Sequence, residues 1–154
     1  MTLDMTQVTD YKNHCIDVCN SLLRGELSAV ETYSQVIGKF STDPQVEELK
    51  LIREEHVRSA EELRLNVISM GGAPEVNSGV WGAFANTFQA AANLIGDTVA
   101  LASLIQGEEH GLSEFDAALS DQEVVPVCKD LIQYKLRPRL EEHIVKLTAL
   151  KQVA

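Results

Sequence analysis

Four side chains able to ligate a metal ion stand where an amphipathic helix should carry only apolar residues. Glu26 falls on a stripe with Cys15, Cys19, Leu22, Ala29, Tyr33, Val36 and Phe40, spaced three or four apart. Glu108 interrupts Leu101, Leu104, Leu112, Phe115 and Leu119 in the same way. His56 is in line with Leu49, Ile52, Ala60, Leu63, Val67 and Met70, and His143 with Leu136, Leu140, Leu147 and Leu150. An ionised carboxylate is expensive to bury without a partner, so each Glu needs a cation or a donor near it. Imidazole together with carboxylate suits iron, zinc or manganese. Metal sites of helical bundles are built from such inward-facing side chains, one or more per helix. The spacing therefore predicts one divalent ion held by Glu26, His56, Glu108 and His143.

Two-iron carboxylate sites use a Glu-x-x-His pair on each of two helices. Here Arg53 stands three residues before His56, and Leu140 three before His143. Glu55 and Glu142 are one position from the histidines, about 100° round the helix, and are expected on its flank, able to support the ligands from behind. The competing expectation needs no metal: two Glu and two His in a buried hydrogen-bond network with trapped water. His110, His14 and Glu31 lie off the stripes and read as surface residues.

The elements that must carry these residues are repeated. Leu22-Leu23-Arg24-Gly25-Glu26 returns as Leu104-Ile105-Gln106-Gly107-Glu108, and Tyr33 aligns with Phe115. Glu54-Glu55-His56-Val57 returns as Glu141-Glu142-His143-Ile144. Internal repetition fixes architecture before any local propensity does. Two copies of a helical hairpin predict an all-α, antiparallel four-helix bundle filling residues 1–154 as one domain. Helices are expected at about 10–40, 44–70, 79–120 and 123–153. Thr6 or Thr9 is the expected first cap. Asp43-Pro44 is expected to start the second helix, and Gly71-Gly72 to end it. Gly96, Gly107 and Gly111 lower helix propensity inside the third helix. Pro126 fits the first turn of the fourth, whereas Pro138 lies within it and predicts a kink or break.

The chain of 154 residues is 45% hydrophobic but only 5% aromatic, which suits a core of packed helices. A net charge of −10 argues against nucleic acid or an anionic membrane surface as partner. No apolar run reaches membrane-spanning length and no signal peptide is evident, so a cytoplasmic location is expected. The odd cysteine count, with Cys15, Cys19 and Cys128, reads as three buried thiols.

Several pieces of the chain carry a family resemblance: Leu22 to Glu26 with Tyr33, Met70-Gly71-Gly72-Ala73-Pro74, Ser78-Gly79-Val80-Trp81-Gly82, Asn93-Leu94-Ile95-Gly96-Asp97 and Gly107-Glu108-Glu109. Together they resemble a bacterial family of uncharacterised ferritin-like four-helix-bundle proteins of similar length. The resemblance implies the ferritin-like bundle and a metal site, with no established activity attached. The expected function is thus divalent metal binding in the bundle core with a redox or stress-related role, no catalytic residue being assigned. The alternative is a non-catalytic interaction bundle, homodimeric through an apolar helix face.

Overall fold

A computed structural model of the chain describes residues 4–39, 44–78 and 96–154. These form α1 (Met5–Lys39), α2 (Val46–Ser69), α3 (Asp97–Ser120), α4 (Pro126–Leu131), a π-helical turn at Ile132–Leu136, and α5 (Arg137–Val153). Among the described residues there is no strand, so the chain is all-α. None of these helices is long and apolar enough to cross a membrane.

The caps explain the boundaries. α1 begins earlier than the threonines suggested, because Asp4 and Gln7 form a reciprocal box. The Gln7 amide donates to Asp4 Oδ1 at 2.8 Å, and the Asp4 amide to Gln7 Oε1 at 3.2 Å. Thr9 instead turns back onto the Met5 carbonyl from inside the helix. The expected Asp43 cap lies outside the described residues, and Pro44 and Gln45 form a turn ahead of α2. α2 stops as expected at Gly71-Gly72. Gly71 has φ 80°, its amide meets the Ile68 carbonyl, and the Gly72 amide meets the Val67 carbonyl. That is a Schellman end, which favours glycine at the left-handed position.

The third helix differs from its expected span. Residues 79–95 lie outside the described residues, and α3 starts only at Asp97. Gly96 has φ 88°, so an unbroken helix from residue 79 cannot pass through it. The fourth helix starts later than expected, with Pro126 in its first turn. The kink expected at Pro138 appears as the π-helical turn just ahead of it.

α1 packs chiefly on α2, and α3 on α5. Asn20, midway along α1, donates its side-chain amide to the Ala73 carbonyl just beyond α2. On the other pair, Arg137 meets Asp116, and Leu140 fills the space left by the missing side chain of Gly111. The core is in two apolar clusters. One gathers Cys19, Leu22, Leu23, Leu63, Phe115, Ile132 and Leu136, among others. The other gathers Tyr33, Val36, Leu49, Ile52, Leu101, Leu104 and Leu147. Glu26, His56, Glu108 and His143 fall between the two in sequence on their helices, forming a polar layer with apolar packing on either side.

Candidate metal centre

All four polar residues of the stripes are buried: Glu26 is 5% exposed, His56 3%, Glu108 3% and His143 1%. His56 is the hub. Its Nδ1 lies 2.6 Å from Glu26 Oε2, and its Nε2 lies 2.7 Å from Glu108 Oε1. Ionised carboxylates only accept, so this arrangement places a hydrogen on each ring nitrogen. Burial alone would push the His56 pKa down. The charges of Glu108 and Glu26, and the hydrogen bonds to both, override it and hold the ring well above its ordinary 6.5. Glu108 shows the converse. Burial favours its neutral form, but the His56 charge and the approach of both imidazoles bring its pKa from 4.5 down to about 2.

Tyr33 joins the layer, its hydroxyl donating to Glu108 Oε1 at 2.7 Å. Burial, then the Glu108 charge and that hydrogen bond, push the phenol well above its ordinary pKa, so it stays a donor. The Tyr33 and His56 rings have centroids 5.3 Å apart, and those of His56 and His143 lie 4.8 Å apart. Tyr33 was not singled out from sequence because a tyrosine on an apolar stripe reads as core. The one available signal was its alignment with Phe115, which lacks the hydroxyl.

His143 completes the layer on unequal terms. Its Nδ1 is 3.3 Å from Glu108 Oε1 and its Nε2 is 3.7 Å from Glu55 Oε2. The first is off line for a hydrogen bond and the second too long for one, so among the described residues neither ring nitrogen has a hydrogen-bond partner. Glu108 Oε2 is orphaned as well, while its Oε1 takes every contact. Buried polar atoms are normally satisfied, so three orphans in one layer need a reason. One ligand atom each from His56, Glu108 and His143 fall within 4.8 Å of one another.

The four expected ligands are thus brought together unevenly. His56, Glu108 and His143 form a trio, and Glu26 stands behind His56 on its far nitrogen. Glu55 is on the flank as expected, near His143. Glu142 is not at the centre: its side chain is 60% exposed and pairs with Lys146, because one residue along α5 turns it out to solvent. His110 is a surface residue beside Glu114, as expected. Sequence reading missed a second cluster in which His14 Nε2 lies 2.7 Å from Asp121 Oδ2 and 3.7 Å from Glu123 Oε2. It lies at the surface and joins positions too distant in sequence for any spacing to reveal.

A cavity of about 90 Å³ adjoins the centre, bounded by Glu26, Tyr33, His56 and Glu108 and by the glycines Gly25 and Gly107.

Helical in its described elements and carrying a buried Glu/His layer with unsatisfied ligand atoms, the chain has the form of a helical protein able to seat a metal ion. It belongs to the family described as a domain of unknown function (DUF2383), whose model matches residues 14–121. The match takes in Glu26, His56 and Glu108, and ends before His143. No curated protein and no solved structure matches the chain.

Proposed function

We propose that this protein is an antiparallel, ferritin-like four-helix bundle that binds one divalent transition metal through His56 Nε2, Glu108 and His143. Glu26 then serves as the carboxylate behind His56, fixing the ring through Nδ1–H as carboxylates commonly do for metal-bound imidazoles. Two imidazoles and one carboxylate suit iron, zinc or manganese, and three protein ligands leave coordination positions open. The paired contacts of α1 with α2 and of α3 with α5, and the recurrence of the Glu and His segments, support the bundle.

One observation carries the metal reading: His143 is fully enclosed, yet among the described residues neither of its ring nitrogens is hydrogen-bonded. A metal-free network accounts well for His56, which is satisfied on both sides, and leaves His143 and Glu108 Oε2 unexplained. Metal binding removes the proton from His56 Nε2, so affinity rises with pH as that proton becomes easier to displace.

The test is elemental analysis of protein purified without added metal, joined to urea unfolding of His143→Leu. Near-stoichiometric iron, zinc or manganese is expected in the wild type. In chelator the variant should lose little, because His56 still faces Glu108 and the unsatisfied buried ring of His143 is gone. With metal present it should gain nothing. No bound metal, together with no stabilisation of the wild type by any divalent ion, refutes the proposal.

A further inference from the structure

Two thiols outside the metal layer meet across the fold. Cys19 on α1 and Cys128 on α4 are both fully buried, and their sulfurs are 2.8 Å apart although the residues are 109 positions apart in sequence. That separation exceeds the length of a disulfide bond by only about 0.8 Å. Asn66 on α2 donates its side-chain amide to Cys19 Sγ at 3.2 Å, fixing that sulfur from the other side. The third thiol, Cys15, is engaged elsewhere and donates to the Glu123 carbonyl at 2.8 Å. Seven residues, or roughly 10 Å of helix, separate Cys19 from Glu26, so the pair is distinct from the metal centre.

We infer that Cys19 and Cys128 form a redox-active pair that closes to a disulfide on reaction with a hydroperoxide, tying α1 to α4.

Either sulfur can donate in their shared hydrogen bond, so either can attack first while the other resolves it, and the electron balance is the same either way. With Cys128 first, its thiolate attacks the O–O bond, which breaks to leave a sulfenic acid and, after one proton is taken up, an alcohol or water. The Cys19 sulfur then attacks the Cys128 sulfur, forming the S–S bond as the sulfenic hydroxyl leaves with the Cys19 proton as water. Overall, two thiols lose two electrons and two protons, and the peroxide is reduced.

Reaction of so enclosed a pair requires an opening, and the corner between α3 and α4 leads directly into Cys128. That corner is held to α1 by three side-chain contacts. Tyr11 donates to the Gln122 carbonyl, His14 meets Asp121, and Cys15 donates to the Glu123 carbonyl. Breaking this clasp frees the connection leading into Cys128. The disulfide, once formed, closes a long loop and should lock the corner shut.

The experiment treats the reduced full-length chain, under native conditions, with hydrogen peroxide, and maps cross-linked peptides after blocking free thiols. The expected result is loss of two of the three free thiols, a single Cys19–Cys128 link, unmodified Cys15, and a higher melting temperature reversed by reductant. Cys15→Ser should form the same link, since a hydroxyl can replace the thiol toward the Glu123 carbonyl. The wild-type mapping needs no variant to fold. The inference is overturned if the folded protein forms no link, or if the link includes Cys15. Neither result bears on metal content, which elemental analysis reads separately.

Discussion

Replacing Glu108 with Gln keeps the shape of the side chain and removes its charge, and the structure sets the size of the effect. In the metal-free protein Glu108 titrates at about 2 instead of 4.5 because it faces His56 and His143. At about 1.4 kcal/mol for each tenfold change in proton affinity, the folded state favours the ionised form by about 3 kcal/mol. A lowered folded-state pKa gives stability that is present in full above the ordinary 4.5 and is lost as pH falls through about 2. Glu108→Gln should therefore cost about 3 kcal/mol at neutral pH in chelator, and progressively less in acid. Metal adds a second effect. At a free concentration of a hundred times Kd, a ligand stabilises the wild type by about 2.7 kcal/mol; a variant with hundredfold weaker affinity gains only about 0.4 kcal/mol. The gap between the two proteins should thus widen by about 2 kcal/mol when chelator is exchanged for metal. Urea unfolding of both proteins in both buffers reads it directly. A gap of the same size in chelator and in metal would show that Glu108 serves the hydrogen-bond network alone, and would refute its role as a ligand.

Three further outcomes test other parts of the structure. The side-chain hydrogen bond to Asp121 raises the His14 pKa, and the same bond lowers that of Asp121. Their contact should therefore contribute fully between the ordinary values of 3.8 and 6.5, fading as pH rises through the raised histidine value or falls through the lowered carboxyl value. The melting-temperature difference between wild type and His14→Ala should be largest inside that window, and a difference that grows above neutral pH would contradict the contact. Among glycines, a Cβ at Gly107 meets nothing within 4 Å among the described residues, so Gly107→Ala should stabilise α3 by up to about 1 kcal/mol. A Cβ at Gly72 would lie 2.7 Å from Ile16 Cγ2 and 3.1 Å from Val67 Cγ1, so Gly72→Ala should cost about 1–3 kcal/mol in the same unfolding assay.

The polar layer was legible in sequence because a polar, ionisable residue on an apolar stripe breaks a strong periodicity, and four such breaks in similar stretches of sequence reinforce one another. Pattern alone could not order the four residues within the layer. Glu26 and Glu108 follow similar Leu-x-x-Gly stretches, yet one lies behind His56 and the other faces both histidines. That difference arises from how the helices pack, which periodicity does not encode. The start of α1 was legible in principle, since Asp-x-x-Gln at residues 4–7 is a capping signature, but two nearby threonines competed for the assignment. Gly96 was read as a cost to propensity; its positive φ makes it a boundary, and a lone glycine with no neighbouring proline gives little warning of that. The Cys19–Cys128 and His14–Asp121 contacts join residues more than a hundred positions apart, and only the tertiary fold brings them together.

The aim of His143 rests on the irregularity before it. Pro138 has no amide hydrogen for the carbonyl four residues earlier, and its ring crowds that carbonyl in a regular α-helix. The chain responds with the π-helical turn at Ile132–Leu136, where the Arg137 amide reaches back five residues to the Ile132 carbonyl. A π turn takes up one extra residue, so each residue after it occupies the place its predecessor would hold in an uninterrupted α-helix. Without the turn, α5 would be rotated by about 100° and shifted by about 1.5 Å, and the inward position now held by His143 would pass to Glu142. A third carboxylate would then face Glu108 and Glu26 across a layer with only one imidazole to balance them, an arrangement that like-charge repulsion and burial both oppose. The proline that disrupts the last helix is thus tied, through the π turn, to the second histidine of the layer. Local irregularity of this kind is often found next to functional sites.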